Sequence, residues 1–420
     1  MVAHSIGLWH PQAAAHLHTP VLNAALAAET LLTALNPSMD SFDQAPAATL
    51  IELQVLDWCC RLIGLPATAA GTFTAGGTQS NYMGALLARD HYLLSRHQCS
   101  VREEGLPPDA HKLRILCSEV AHFSTEKAAI QLGLGRKAVV KIPADSAFRM
   151  DTAQAAAAVR GLKAEGLEPF LIVGTASTTD FGSIDPLGAL ADLAQAEGLW
   201  LHVDAAYGGA LLMSQAQKGK LAGIDRADSV TMDFHKAFFQ PISCGAFFLR
   251  EAAHFEAIRM NADYLNPEAN EAEGIPDLVT RSVLTTRRFD ALKLWLSLQM
   301  IGGEAFGQML DRLTALAEEI AAEIAARPAF ELLHQPEFGC VVFRYLPTDS
   351  SQADALNFAL PRRLFEEGLA VLGHTSVAGR ACLKLTLNNP GVSLGELVAF
   401  LDLIGAYGHK LEAELGTSPS

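Results

Sequence analysis

Two short apolar runs, each ending in polar residues, constrain this chain more than anything else in it. The first is Leu199–Tyr207 (LWLHVDAAY); the second opens the stretch Asp228–Leu249 (DSVTMDFHKAFFQPISCGAFFL). Each reads as a short buried strand that runs out at a polar residue. In an open α/β sheet, ligands collect at the carboxyl ends of the strands, so Asp204 and Lys236 should face one crevice. Lys236 sits beside His235, between apolar runs and with no run of charges around it. A lysine so placed is costly to keep charged and easier to keep as a neutral amine, the form that condenses with an aldehyde. A carboxylate from a neighbouring strand end is the group that holds a pyridine nitrogen protonated. The pair therefore describes a pyridoxal-phosphate site, with Lys236 as the condensing amine and Asp204 as the partner of the ring nitrogen. Either residue alone would more often be a cap or an ion-pair member; the reading rests on the two together.

The chain has 420 residues, enough for a large cofactor domain and a smaller second one. Half of it is hydrophobic and only 18% is charged, so a sizeable core can form. The net charge of -15 argues against nucleic acid or an anionic membrane as a partner. Seven cysteines with no C-x-x-C pair suit free thiols in a reducing compartment. No apolar run approaches the length of a membrane span, and the N-terminus lacks the basic-then-apolar order of a signal peptide. The expectation is a soluble cytoplasmic protein. Histidines are frequent between His10 and His18, but without carboxylate or cysteine companions or helical spacing no metal site is predicted.

Upstream of the central pair, the run GTFTAGGTQSN (71–81) leads into the apolar-periodic YMGALLARDHYLL. A glycine-rich turn feeding a helix N-terminus presents free backbone N–H groups and the positive end of a dipole, which suits a phosphate. Gly76 and Gly77 permit close backbone approach, and Thr78, Gln79 and Ser80 add side-chain donors. A strand over 112–118 ends before His122, at a junction with a helix that begins near Ser124. Further strands fall at 136–142 and 170–176, the latter ending in the hydroxyl-rich TASTTDFGSIDP, and an alanine-rich helix lies between them at 151–165. Strands alternating with helices of this length give a mostly parallel sheet covered on both faces. After Lys236, a strand at 244–250 precedes the polar, aperiodic segment 259–276, read as a mobile loop carrying Tyr264. Helices at 48–63 and 304–327, then strands near 330–335, 340–346, 369–377 and 380–388 with helices near 353–367 and 393–413, complete the chain.

HVDAAYGG and SVTMDFHK, with their spacing and with the glycine-rich turn ahead of them, resemble the group II pyridoxal-phosphate decarboxylases, the family that acts on aromatic amino acids, glutamate, histidine and diaminobutyrate. The resemblance covers nearly the whole chain, and HLHTP and SMDSFDQAPAATLIE look most like its diaminobutyrate branch. It implies fold type I, the aspartate-aminotransferase-like α/β fold. A large domain (49–300) would hold a mostly parallel, seven-stranded sheet. A small α/β domain (301–420) would follow, and an N-terminal segment (1–48) would lie at the substrate entrance and dimer interface. It implies a cofactor set of Thr78, Gln79, Ser80, His122, Thr179, Asp204, Ala206, Asp233, His235 and Lys236, with His122 stacked on the ring. Thr19 matches a substrate-contacting threonine. Tyr264 matches a loop tyrosine that closes over the site and replaces the lost carboxylate with a proton.

The family pattern also carries a further N-terminal helical segment that wraps the partner subunit, and this chain begins where that segment would end. Lys384 stands where glutamate-specific relatives carry an arginine, which disfavours a dicarboxylic substrate. Arg287 and Arg288 are read as structural or dimer cations. The implied activity is decarboxylation of L-2,4-diaminobutyrate to 1,3-diaminopropane by a homodimer. An acidic or aromatic amino acid is the alternative substrate, and a non-catalytic cofactor-binding scaffold the alternative class. No G-x-G-x-x-G follows a strand, which ranks a dinucleotide-binding dehydrogenase below both.

Overall fold

The computed structural model describes residues 4–416. Twelve strands run in chain order: β1 (Ala13–Ala14), β2 (Ala70–Thr74), β3 (Leu113–Ser118), β4 (Val139–Ile142), β5 (Glu168–Thr175), β6 (Trp200–Asp204), β7 (Ser229–Asp233), β8 (Gly245–Leu249), β9 (Phe330–Leu332), β10 (Cys340–Tyr345), β11 (Val371–Val377) and β12 (Arg380–Thr386). They form a seven-stranded sheet in the order β2-β8-β7-β6-β5-β3-β4 and a five-stranded sheet in the order β1-β11-β12-β10-β9.

In the large sheet β4, β3, β5, β6 and β7 are parallel, and β8 lies antiparallel between β7 and β2. Strand β2 therefore runs the same way as β7. The carboxyl ends of β2, β3, β5, β6 and β7 share one edge, as ligand binding in such a sheet requires. Helices cover both faces, so the strands are buried throughout rather than alternating: β2, β6, β7 and β8 have no exposed residue. One apolar cluster packs helix Pro46–Ile63 and the helices after β4 and β5 against one face. A second packs helix Gly77–His97 and helix Ser124–Gln131 against the other.

Local chemistry fixes the ends of the elements. Pro46 opens its helix at the first turn, where its missing N–H is not needed, and Gly64 closes it in the left-handed conformation (φ 88°). Asp151 caps helix Thr152–Ala164 by accepting from the N–H groups of Ala153 and Gln154. Buried Asp185 accepts from the N–H groups of Met150 (2.6 Å) and Thr175 (2.8 Å), tying the end of β5 to the segment before that helix. Burial pushes its carboxyl up to about 6.

Three elements differ from the sequence reading, the first being a short helix, Glu268–Ala272, inside the stretch read as a mobile loop. A further helix, from Ala291, precedes the predicted one: Gly302 (φ 75°), non-helical, kinks the span Ala291–Ala325 into two helices, the second close to the expected 304–327. Strand β1 has no strand signal in its sequence. It exists because Ala13 and Ala14 pair in parallel with Val371 and Leu372 of β11, which brings the N-terminal segment into the second sheet. The Arg287 guanidinium forms a buried pair with Glu52 (2.8 Å), and Arg288 pairs with Glu29 (2.6 Å). Both arginines are thus structural cations within one chain.

Candidate active site

A cavity of about 820 Å³ opens at the shared edge of the large sheet. Each strand end supplies part of its wall. Strand β2 leads into Gly76 and Gly77, β3 into His122, β5 into Thr175, Ser177 and Thr179, β6 into Asp204 and Ala206, and β7 into Asp233, His235 and Lys236.

The glycines are required. Gly76 has φ 146°, and a Cβ there would lie 3.1 Å from the His235 ring; one on Gly77 would lie 3.0 Å from Asp233 Oδ2. The N–H groups of Gln79 and Ser80 return to Gly76 O, leaving those of Gly77 and Thr78 at the helix start for a ligand.

Lys236 lies in the tight connection between β7 and β8, which is pinched shut by His235 N–H donating to Cys244 O (3.0 Å). Its Nζ is 3.0 Å from Asp233 Oδ2, so its setting is not the apolar one its sequence neighbours suggest: a buried carboxylate faces it. His235 is fixed by Nδ1 against the backbone of Cys244, and its Nε2 is 3.6 Å from Asp233 Oδ2. Burial lowers the pKa of His235, Asp233 opposing.

Asp204 accepts from Asn81 Nδ2 (2.7 Å) through Oδ2 and from the Ala206 N–H (3.1 Å) through Oδ1. His122 Nδ1 faces the Ser124 hydroxyl (2.8 Å) and the Ser124 N–H (3.3 Å). Burial lowers the His122 pKa, against the pull of Asp204, so the ring is neutral near pH 7.

Of the residues predicted from sequence, Thr78, Gln79, His122, Thr179, Asp204, Ala206, Asp233, His235 and Lys236 meet on this cavity wall. Three do not. Ser80 points inward, its hydroxyl 2.8 Å from that of Thr74. Thr19 is buried beneath the lysine, and its hydroxyl donates to Lys236 O (3.1 Å). Tyr264 is 89% exposed and lies away from the wall. Sequence reasoning passed over Asn81, Ser177 and Tyr207. Ser177 holds φ 75° while buried, a strained conformation for a serine, and such strain gathers at functional sites. Tyr207 donates to Asn388 Oδ1 (2.8 Å), joining the wall to the segment after β12.

Four buried side-chain atoms on this wall lack a hydrogen-bond partner: Gln79 Nε2, Thr175 Oγ1, Ser177 Oγ and Asp233 Oδ1. Buried polar atoms are rarely left so, and their convergence on one cavity calls for a polar ligand. A glycine turn with two helix-start N–H groups, a lysine amine and a carboxylate at the next strand end match the phosphate, aldehyde and ring nitrogen of pyridoxal phosphate. The residues fit the group.

Fold and site together define a fold-type-I, pyridoxal-phosphate-dependent enzyme. The profile of the pyridoxal-dependent decarboxylase conserved domain matches residues 1–346, and the chain belongs to that family of amino acid carboxy-lyases. It is similar to the L-2,4-diaminobutyrate decarboxylases of Acinetobacter baumannii (40% identity over 97% of this chain and 82% of that one) and Rhizobium meliloti strain 1021 (42%, 97% and 80%). A solved structure from Vibrio parahaemolyticus is described as the glutamate decarboxylase domain of diaminobutyrate-pyruvate transaminase and L-2,4-diaminobutyrate decarboxylase. It superimposes with a TM-score of 0.89 at 41% identity, over 98% of this chain and 83% of that one.

Proposed function

We propose that this enzyme decarboxylates L-2,4-diaminobutyrate to 1,3-diaminopropane. The observation that carries the choice is the ion pair of Lys384 Nζ with Asp180 Oδ1 (2.9 Å), reinforced by donation from the same ammonium to Thr179 O (3.2 Å). Asp180 adjoins Thr179 on the cavity wall. The cation that would attract a second substrate carboxylate is neutralised there, which favours a substrate whose side chain is not acidic. An acidic amino acid is the second reading, because Lys127 also lines the cavity and offers it a cation.

Pyridoxal phosphate, when bound, supplies an aldehyde for an amine and a ring that takes up the electron pair left by the departing carboxylate. Gly77, Thr78 and Gln79 would bind its phosphate, and Lys236 would supply the amine that holds it and frees the product. Asp204 would keep a proton on the ring nitrogen. His122, neutral and held by Ser124, would orient the ring and the substrate carboxylate. Leu17, Ala206 and Tyr207 keep water from the reacting carbon. Tyr264, on the segment 259–276, delivers the proton that replaces the carboxylate when that segment covers the cavity. Thr19 reaches the substrate indirectly, by fixing the carbonyl of Lys236. We also propose a cytoplasmic homodimer; the seven free thiols and the exposed Leu31 and Leu35 on helix Asn23–Leu35 support it.

The test is to incubate the cofactor-loaded protein with a mixed amino acid panel and identify the amines by mass spectrometry, with Lys236→Ala as the control. Diaminopropane, absent in the control, is the expected product. β-Alanine, γ-aminobutyrate or an aromatic amine in its place would replace the substrate, and silence from loaded protein would support a non-catalytic scaffold instead.

A further inference from the structure

One buried side chain touches both halves of the catalytic floor. Asn81 is 5% exposed and sits in helix Gly77–His97, on the cavity wall between Asp204 and Ser124. Its Nδ2 donates to Asp204 Oδ2 (2.7 Å) and to Ser124 Oγ (2.8 Å). Its Oδ1 accepts from Thr231 Oγ1 (2.8 Å) and lies 3.0 Å from His202 Nε2. Both donor and both acceptor positions of the amide are thereby used.

The orientation of this amide follows from chemistry. An ionised carboxylate only accepts, so the atom facing Asp204 is the nitrogen, and the oxygen faces Thr231 and His202. His202 must then carry its proton on Nε2 and accept at Nδ1 from the Ser229 hydroxyl (2.8 Å). Burial holds this ring neutral by lowering its pKa to about 4. Gly84 gives it room, since a Cβ there would stand 2.6 Å from His202 Nδ1. The second branch works the same way. Ser124 Oγ accepts from Asn81, so its own hydrogen is directed at His122 Nδ1, where the Ser124 N–H also points. The proton of His122 is left on Nε2, the nitrogen turned away from Ser124.

We propose that Asn81 is a positioning residue that sets, through one amide, both the orientation of the Asp204 carboxylate and the tautomer of His122. Asp204 Oδ2 is taken by Asn81, which leaves the carboxylate one fixed orientation toward the ring nitrogen. His122 is kept as the Nε2–H form, with a single donor for the ligand side. The functional weight of the inference rests on the roles proposed above for Asp204 and His122; the hydrogen-bond assignment does not.

The test separates the two. In cofactor-loaded enzyme carrying ¹⁵N-labelled histidine, long-range ¹⁵N–¹H correlations should report His122 and His202 as Nε2–H tautomers. Ser124→Ala removes the hydroxyl donor but keeps the backbone N–H at Nδ1, so it should shift the His122 Nδ1 resonance toward a weaker hydrogen bond and leave His202 unchanged. Asn81→Ala should disturb both rings and raise the cofactor dissociation constant by about 10- to 100-fold, as loss of a hydrogen bond to a charged group does. Should Asn81→Ala fail to fold, Ser124→Ala and Thr231→Val test the same branches singly. An Nδ1–H His122 in the parent enzyme, or a His122 signal unmoved by Ser124→Ala, would overturn the proposal. Histidine signals that shift as expected while turnover holds would uphold the network and remove the catalytic reading of His122.

Discussion

The floor and the rim of this cavity are built on different principles. On the floor, Asp204, Asn81, His202, Ser124 and Thr231 are all buried, and each polar contact is closed by a partner from another strand or helix. Beneath it, Arg287 links Glu52 to the carbonyl of Phe73 in β2, just before the glycine turn. On the rim, the segment 259–276 is held mainly by contacts within itself. Asn266, for example, donates to Met260 O (2.8 Å), and Tyr264 stands in solvent. A rigid floor can fix a cofactor to within hydrogen-bond tolerance, while a self-contained rim can move without disturbing the fold. The proposed roles divide accordingly, with cofactor binding and electron withdrawal on the floor and proton delivery on the rim.

The largest expected effect is on the floor. Asp204→Ala should reduce kcat/KM by about 10²- to 10³-fold, the usual result of losing a preorganised charge. A variant within tenfold of the parent, measured at saturating cofactor, would break the assignment. Glu52→Ala comes next. It leaves Arg287 buried without its carboxylate and should lower stability by about 3–5 kcal/mol in denaturant titration. Activity per folded molecule should survive, because Glu52 is absent from the cavity wall.

Rim substitutions should behave in the opposite way. Tyr264→Phe should leave the melting temperature and cofactor affinity unchanged and alter the products, with dissolved oxygen consumed and aldehyde, ammonia and hydrogen peroxide appearing beside the amine. A drop in melting temperature with unaltered products would place Tyr264 with the structural residues. The smallest effect is on pH. Burial lowers the pKa of His202 and His334 to about 4 from 6.5. The unfolded chain then binds more protons than the native one between these values, so both contribute stability above pH 6.5 that is lost as pH falls toward 4. Asp185, raised to about 6 from 3.8, works the other way, binding its proton more readily in the native state. His334→Gln should flatten the acid limb of a melting-temperature profile between pH 6.5 and 4 without changing turnover at pH 7.

Much of the floor was legible because its signals are local. Apolar runs that end at Asp204 and Asp233 announce buried strands, and Gly76-Gly77 before a periodic helix announces an anion cradle. Asn81 left no such trace. Its value lies in partners 43 to 150 residues away in sequence, and nothing in TQSN distinguishes it from a surface asparagine. Ser80 shows the converse: one position earlier on the same helix, it looks like a ligand but turns toward Thr74. The pair of alanines in β1 forms a strand only because β11 offers an edge. The rim was legible as mostly irregular chain, though not its short helix Glu268–Ala272, and the placement of Tyr264 depends on packing that sequence does not state. The apolar neighbours of Lys236 do not reveal that Asp233, expected only as a cofactor residue, turns its carboxylate back onto Nζ.

The central claim is that the floor binds pyridoxal phosphate through one particular amine. Reducing the cofactor-loaded protein with borohydride, then digesting it and mapping the peptides by mass spectrometry, tests this most directly. A pyridoxyl adduct is expected on the peptide containing Lys236, and none in Lys236→Ala. An adduct confined to Lys127, Lys384 or any other lysine would contradict it.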